Sequence, residues 1–269
     1  MAGTGTIELP TETSTSTFRS ALTRLAGAQK PGRGAPPYSR WINRRMGRVI
    51  AAGAYTIGAT PNGVTAVSAL LTTGGLVLIA FVAPVWWLGL AIAAFLVLGY
   101  AFDAADGQLA RLRGGGSRAG EWLDHMVDVT KTCVLHSVVL ISFLRFGGIP
   151  SDAFLLVPLG YLTVSIVLFF GLMLVDQLRR SARLQLPDPN PPRGSGMLQT
   201  LVAIPTDYGI VCLAFAVFGW RELFVVVYTA LFAAHTLVLL AVLARWWREL
   251  RSIDATIASR SSADGADRG

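Results

Sequence analysis

From about residue 60 to residue 247 the chain is written as long apolar runs, each close to the length of a bilayer-crossing helix, separated by short turn-rich breaks. Of its 269 residues, 53% are hydrophobic and only 14% charged, a balance unusual for a soluble domain. The expected fold class is all-α: a polytopic membrane protein with six transmembrane helices, preceded by an interfacial amphipathic helix. The spans fall near residues 60–82, 86–111, 120–146, 153–178 and 197–218, and from just after Arg221-Glu222 to Trp246-Trp247. Thr60 is placed to cap the first span, with Pro61 at its first helical position. Ala83-Pro84, Gly147-Gly148-Ile149-Pro150 and the stretch 179–196 with its PDPNPP core supply breaks, and Pro205 interrupts the fifth span.

The flanks differ in character. Residues 1–37 are rich in Thr, Ser, Gly and Pro without apolar periodicity, so a disordered tail is expected there, and no continuous apolar region marks a cleavable signal peptide. In residues 38–56, Ile42, Met46, Val49 and Ile50 fall on one helical stripe and Arg40, Arg44 and Arg48 on another. That predicts a basic amphipathic helix lying in the headgroup layer, with Trp41 at the interface. The membrane domain then occupies residues 57–250, and residues 251–269 form a second tail. The net charge is +7, and 20 of the 23 Lys and Arg residues fall on one face of this topology. Only Arg145 and Arg221 belong to the opposite loops, while Lys131 lies within the third span. The positive-inside rule places both termini in the cytoplasm. The same distribution accounts for the basic balance without nucleic acid, for which no binding motif is present. Cys133 and Cys212 sit inside apolar runs and read as reduced packing residues rather than a disulfide or metal pair.

One stretch breaks the apolar pattern: Asp103 to Asp128, DAADGQLARLRGGGSRAGEWLDHMVD. Asp103 and Asp106 are three apart, Asp124 and Asp128 four apart, so each pair shares a helical face. Gly114-Gly115-Gly116 supplies a turn that folds the two faces together, at the cytoplasmic end of the second and third spans. A carboxylate at the centre of a membrane helix costs roughly 2.5–3.5 kcal/mol on insertion scales, and four together repel one another. The arrangement makes sense around one or two hard divalent cations. Carboxylates without cysteine, and with His125 pointing off their stripe, suit Mg²⁺ or Mn²⁺ better than Zn²⁺.

Asp103, Asp106, Gly107, Ala110, Arg111, Gly120, Asp124 and Asp128 fit the pattern D-x2-D-G-x2-A-R-x8-G-x3-D-x3-D at every position. This stretch closely resembles the signature of the CDP-alcohol phosphotransferase family, membrane enzymes in which an alcohol displaces CMP from a CDP-activated donor. The resemblance implies that Asp103, Asp106 and Asp124 ligate metal and that Gly107, Ala110, Arg111 and Gly120 hold the CDP portion. It implies that Asp128 both helps bind metal and deprotonates the acceptor hydroxyl. It further implies a homodimer, with CDP-diacylglycerol as donor and a polyol or polyol phosphate as acceptor, in phospholipid biosynthesis at the cell membrane.

Two features leave the substrates open. Gly120-Glu121-Trp122-Leu123-Asp124-His125 is similar to the form found in members that move phosphocholine or phosphoethanolamine from a soluble CDP-alcohol to diacylglycerol. Val129 stands where phosphatidylglycerophosphate and phosphatidylinositol-phosphate synthases usually carry Lys or Arg. For the acceptor site, Lys131 lies three residues past Asp128, about 4.5 Å further along the axis, and Asp128 is its obvious partner. Arg179, Arg180 and Arg183 are candidates to bind an acceptor phosphate from the adjoining loop. His125 and His136 read as packing or hydrogen-bonding residues. A cation channel or transporter is the remaining alternative class, but it predicts polar residues along several spans rather than acids gathered at one end of two helices.

Overall fold

The computed structural model describes residues 14–27, 36–185, 204 and 206–266. Among them there are helices and turns and no strand. In chain order the helices are α1 (Ser14–Gly27), α2 (Arg44–Thr56, continuing a π-helical turn Ser39–Asn43), α3 (Pro61–Phe81), α4 (Trp86–Leu112), α5 (Arg118–Phe146), α6 (Leu156–Gln185), α7 (Tyr208–Ala214) and α8 (Arg221–Ala266). Five of them, α3, α4, α5, α6 and α8, are long and apolar enough to cross a membrane. The protein is an all-α, multi-pass membrane protein.

Three expectations need amendment. Residues 14–27, read as part of a disordered tail, form α1. Phe18, Ala21, Leu22 and Leu25 make a short apolar stripe, and Ala21 and Leu25 are each only 1% exposed in a cluster with Ala51, Leu109 and Leu112. Such a helix is stabilised by the surface it meets rather than by its own composition; the rest of the tail up to residue 35 lies outside the described residues. The expected fifth span, 197–218, falls partly outside them too. Its described part is α7 followed by a 3₁₀ turn, Phe215–Val217, about 15 Å of helix against a hydrocarbon core of roughly 30 Å. Finally, the last helix does not stop near residue 250 but continues to Ala266, making 46 residues and about 69 Å.

Local chemistry explains the element ends. The Thr60 side chain accepts from the Gly63 amide at 3.1 Å with Pro61 in the first turn, as its sequence predicts. Ser117 caps α5 in the same way, accepting from the Gly120 amide at 2.9 Å. Between α4 and α5 the backbone turns through Gly114 (φ +98°) and Gly115 (φ +128°), conformations that a side chain would strain. The reversal makes α4 and α5 antiparallel, so both aspartate pairs reach the same end of the bundle.

Small residues let the helices approach closely, as membrane packing requires. A Cβ on Gly99 of α4 would strike Thr72 and the Ser68 carbonyl of α3, and one on Gly89 would strike the backbone of Phe215 and Ala216. On α2 the buried face is Gly47, Ala51 and Ala54, with Gly47 against Ala104 of α4, while Trp41, Ile42 and Val49 are exposed. That outward apolar edge is what an interfacial helix needs. The central core joins Leu88, Ile92, Leu96, Val139, Phe143 and Phe224.

A polar tie crosses this core. His136 of α5 meets the Tyr228 hydroxyl of α8 through Nδ1 at 2.7 Å and the Ser165 hydroxyl of α6 through Nε2 at 3.1 Å. Tyr161 of α6 reaches His235 Nδ1 at 3.0 Å. Replacing His136 by Leu leaves the buried Tyr228 hydroxyl and the half-buried Ser165 hydroxyl without this partner. We expect a loss of about 1–3 kcal/mol, read as lower unfolding stability in detergent with metal affinity unchanged.

Candidate active site

The C-terminal half of α4 presents Asp103 and Asp106, and the first turns of α5 present Asp124 and Asp128. Asp103, Asp106 and Asp124 each offer an oxygen within 4.8 Å of the others, and Asp124, His125 and Asp128 form a second set within the same limit. The four aspartates that the sequence singled out therefore come together. His125, expected to point off the carboxylate stripe, comes close enough to join its two neighbours.

The third wall is α3, which the motif does not touch. Thr65 Oγ1 donates to Asp106 Oδ2 at 2.6 Å, and Asp106 is only 6% exposed. Ser68, fully buried, donates to the Gly99 carbonyl at 2.8 Å. Its oxygen also receives the Lys131 ammonium at 3.2 Å. Thr65, Ser68 and Thr72 form a buried polar stripe at helical spacing in an otherwise apolar span, which is the signal by which the sequence could have revealed them.

Lys131 is 8% exposed and sits among the acids. It reaches Asp128 Oδ1 at 3.2 Å as its spacing predicts, but its shorter contact is to Asp103 Oδ1 across the helix pair, at 2.5 Å. With Ser68 these contacts give each of its three N–H groups an acceptor. One ammonium facing four carboxylates leaves a strong excess of negative charge in a low-dielectric setting. An oxygen-only carboxylate set of this spacing fits a hard divalent cation such as Mg²⁺ or Mn²⁺.

The small residues leave room beside it. A Cβ on Gly107 would meet only Arg111 Nη1, at 3.6 Å. At Gly120 the space is tighter, since a Cβ there would lie 3.1 Å from Ser117 Oγ and 3.6 Å from Asn62 Oδ1 at the start of α3. The three candidate acceptor arginines separate. Arg179 is held by Glu249 of α8 through two contacts of 2.7 and 2.8 Å. Arg180 pairs with Asp176 at 2.8 Å and reaches Glu121, inside the aspartate stretch, at 3.6 Å. The side chain of Arg183 lies outside the described residues.

Against known proteins, the family profile described as CDP-alcohol phosphatidyltransferase matches residues 59–203. The chain belongs to the CDP-alcohol phosphatidyltransferase family, a family of enzymes that use CDP-activated donors and alcohol acceptors. A phosphatidylinositol phosphate synthase of Mycobacterium marinum (strain ATCC BAA-535 / M) is 37% identical over 94 residues, 35% of this chain; the match spans 38% of that relative's length. The phosphatidylinositol phosphate synthase of Mycobacterium tuberculosis has been solved in complex with manganese and citrate and in apo form. Each structure is 23% identical over 74% of this chain with a TM-score of 0.49, and 87% and 94% of those chains are covered.

Proposed function

We propose that this protein transfers a phosphatidyl group from CDP-diacylglycerol to a polyol or polyol phosphate at the cytoplasmic face of the cell membrane, releasing CMP. The observation that carries the reading is the convergence of Asp103, Asp106 and Asp124 within 4.8 Å, inside the stretch matched by the family profile. These three carboxylates would hold Mg²⁺ or Mn²⁺, with Asp128 completing the set. A bound divalent cation supplies charge neutralisation on the diphosphate. Gly107, Ala110, Arg111 and Gly120 hold the CDP portion, where the absence of bulk admits the nucleotide. Asp128 takes the proton from the acceptor hydroxyl. The hydroxyl oxygen bonds to the phosphorus of the phosphatidyl group, and the bond from that phosphorus to the bridging oxygen breaks, so the electron pair leaves with CMP. The basic residues gathered on one face support cytoplasmic termini, and the family supports a homodimer.

Among the acceptor candidates, Lys131 is engaged with Asp103 and Asp128 and acts by holding them. Arg180 is the better phosphate ligand, since it already reaches the edge of the aspartate stretch at Glu121. Arg180→Gln is expected to raise the KM for a phosphorylated acceptor about tenfold while leaving the donor KM unchanged, a loss of one charge-assisted contact. Arg179→Gln moves neither constant as far, because its partner is Glu249. An unchanged KM for the phosphorylated acceptor in Arg180→Gln would remove this assignment, whereas the KM of a neutral acceptor is expected to stay the same.

A second reading is favoured by His125, which stands with Asp124 and Asp128 and belongs to the Gly120–His125 pattern of the choline and ethanolamine type. In that version a soluble CDP-alcohol is the donor and diacylglycerol the acceptor. Measuring CMP release in Mn²⁺ from CDP-diacylglycerol with a panel of polyols and polyol phosphates, in parallel with CDP-ethanolamine and diacylglycerol, separates the two. No CMP in either arm rejects both.

A further inference from the structure

The start of α7 lies outside the stretch matched by the family profile, yet it is fastened beside the aspartate centre. Asp207, 1% exposed, accepts from the Ser39 amide at 2.9 Å, the Ser39 hydroxyl at 2.9 Å and the Gly209 amide at 3.2 Å. Because the single proton of the Ser39 hydroxyl goes to Asp207, the 2.5 Å contact between Ser39 and Tyr100 is donated by the phenol. Tyr100 precedes Asp103 by one helical turn on α4, and its own carbonyl is held by Asn43 Nδ2 at 3.1 Å. Above this chain of bonds the Tyr38 ring stacks on Tyr100, with centroids 6.4 Å apart, and presses on Gly209 so closely that a Cβ there would overlap it. The junction thus ties the interfacial segment, the active-site helix and the N-terminus of α7 together.

Tyr208 is the residue this junction aims. Its ring lies edge-on to Tyr100 at 5.1 Å. Its hydroxyl oxygen is buried, and among the described residues it meets no strong hydrogen-bond partner. The polar group one turn further along its own helix is the Cys212 thiol, a weak acceptor. Asp103 and Asp128 lie within electrostatic range of the phenol. A buried hydroxyl in this position costs desolvation that phenylalanine would avoid, so its presence calls for a function.

We propose that Tyr208 contacts substrate, its phenol donating a hydrogen bond to a phosphate oxygen of a CDP-bearing ligand seated against Asp103 and Asp128, and that Asp207 and Ser39 are positioning residues for it. The ligand named here rests on the transferase reading above.

The test uses the full chain in detergent micelles, with the affinity for CDP in the presence of Mn²⁺, CMP release and melting temperature measured for wild type, Tyr208→Phe and Asp207→Asn. Tyr208→Phe is expected to keep or raise the melting temperature, to weaken CDP binding about five- to tenfold and to lower kcat/KM at least about tenfold, as loss of one hydrogen bond to a charged group predicts. Asp207→Asn is expected to lower the melting temperature as well, because the junction loosens. Wild-type CDP affinity in Tyr208→Phe overturns the proposal, and so does a melting-temperature loss as large as that of Asp207→Asn. If wild type releases no CMP from any donor, the transferase reading falls, while the comparison of CDP affinities still decides the tyrosine contact.

Discussion

Asp106→Asn is expected to abolish Mn²⁺-dependent CMP release, by about 10³-fold or more, while leaving the protein folded and as stable as before or steadier. Asp106 is the most buried of the four aspartates and takes a 2.6 Å hydrogen bond from Thr65, which an asparagine oxygen can also accept. The substitution therefore preserves shape and the tie to α3 while removing one charge from a set of carboxylates that repel each other. Asp103→Asn and Asp124→Asn should lose activity similarly, but Asp103→Asn also deprives Lys131 of its shorter partner and should be less stable than Asp106→Asn. Titrating Mn²⁺ against CMP release and against melting temperature checks both halves. Wild-type activity at saturating Mn²⁺ removes the ligand assignment, and a collapsed melting temperature in Asp106→Asn would mean that the carboxylate serves the fold.

The aspartate stretch was legible because chemistry restricts it so tightly. Four carboxylates, two glycines, an alanine and an arginine at set intervals on two helices leave little freedom, and an apolar background makes each acid conspicuous. The membrane helices were legible for a related reason, since lipid demands long apolar runs. What stayed hidden depends on contacts between helices. Lys131 reads along its own helix as the partner of Asp128, and only the antiparallel placement of α4 beside α5 brings Asp103 nearer. Thr65 and Ser68 gave no alarm because hydroxyl residues are common in membrane helices, where they can bond back to the preceding turn; Thr65 Oγ1 lies 3.1 Å from the Pro61 carbonyl, but its one proton goes to Asp106 at 2.6 Å.

The same limit explains α1 and α7. The first has too few apolar residues to declare itself by periodicity, the second is apolar but too short in its described part to span a bilayer, and each is placed by what it meets. Leu25 of α1 finds Leu109 and Leu112 at the end of α4, while Asp207 before α7 finds Ser39, 168 residues away in the chain. Arg179 shows the converse. Its position near a loop suggested a phosphate ligand, and nothing local announced that Glu249, 70 residues on, stands ready to take its guanidinium.

Asp128→Asn is expected to separate binding from chemistry. In the proposed mechanism Asp103, Asp106 and Asp124 form the core of the cation site, while Asp128, a minor contributor at its edge, is the group that removes the acceptor proton. Its side chain is more accessible than that of Asp103, 31% against 16% exposed, as a base that must meet an incoming hydroxyl should be. The asparagine has no basic oxygen, so turnover should fall about 10²- to 10⁴-fold, the usual worth of general-base catalysis. Affinity for Mn²⁺ and for CDP should stay within about threefold of wild type, since the interaction lost belongs mainly to the transition state. Lys131 sharpens the test. Its ammonium lies 3.2 Å from Asp128 and 2.5 Å from Asp103, so Lys131→Met should lower turnover and weaken the fold together by stranding two acids, whereas Asp128→Asn spares the pairing with Asp103. Pre-steady-state CMP release, isothermal titration with Mn²⁺ and CDP, and thermal melts on the two variants give the comparison. Equal collapse of binding and turnover in Asp128→Asn would make the residue a ligand first, and the proton would then have to leave through another group, with His125, beside Asp124 and Asp128, next in line.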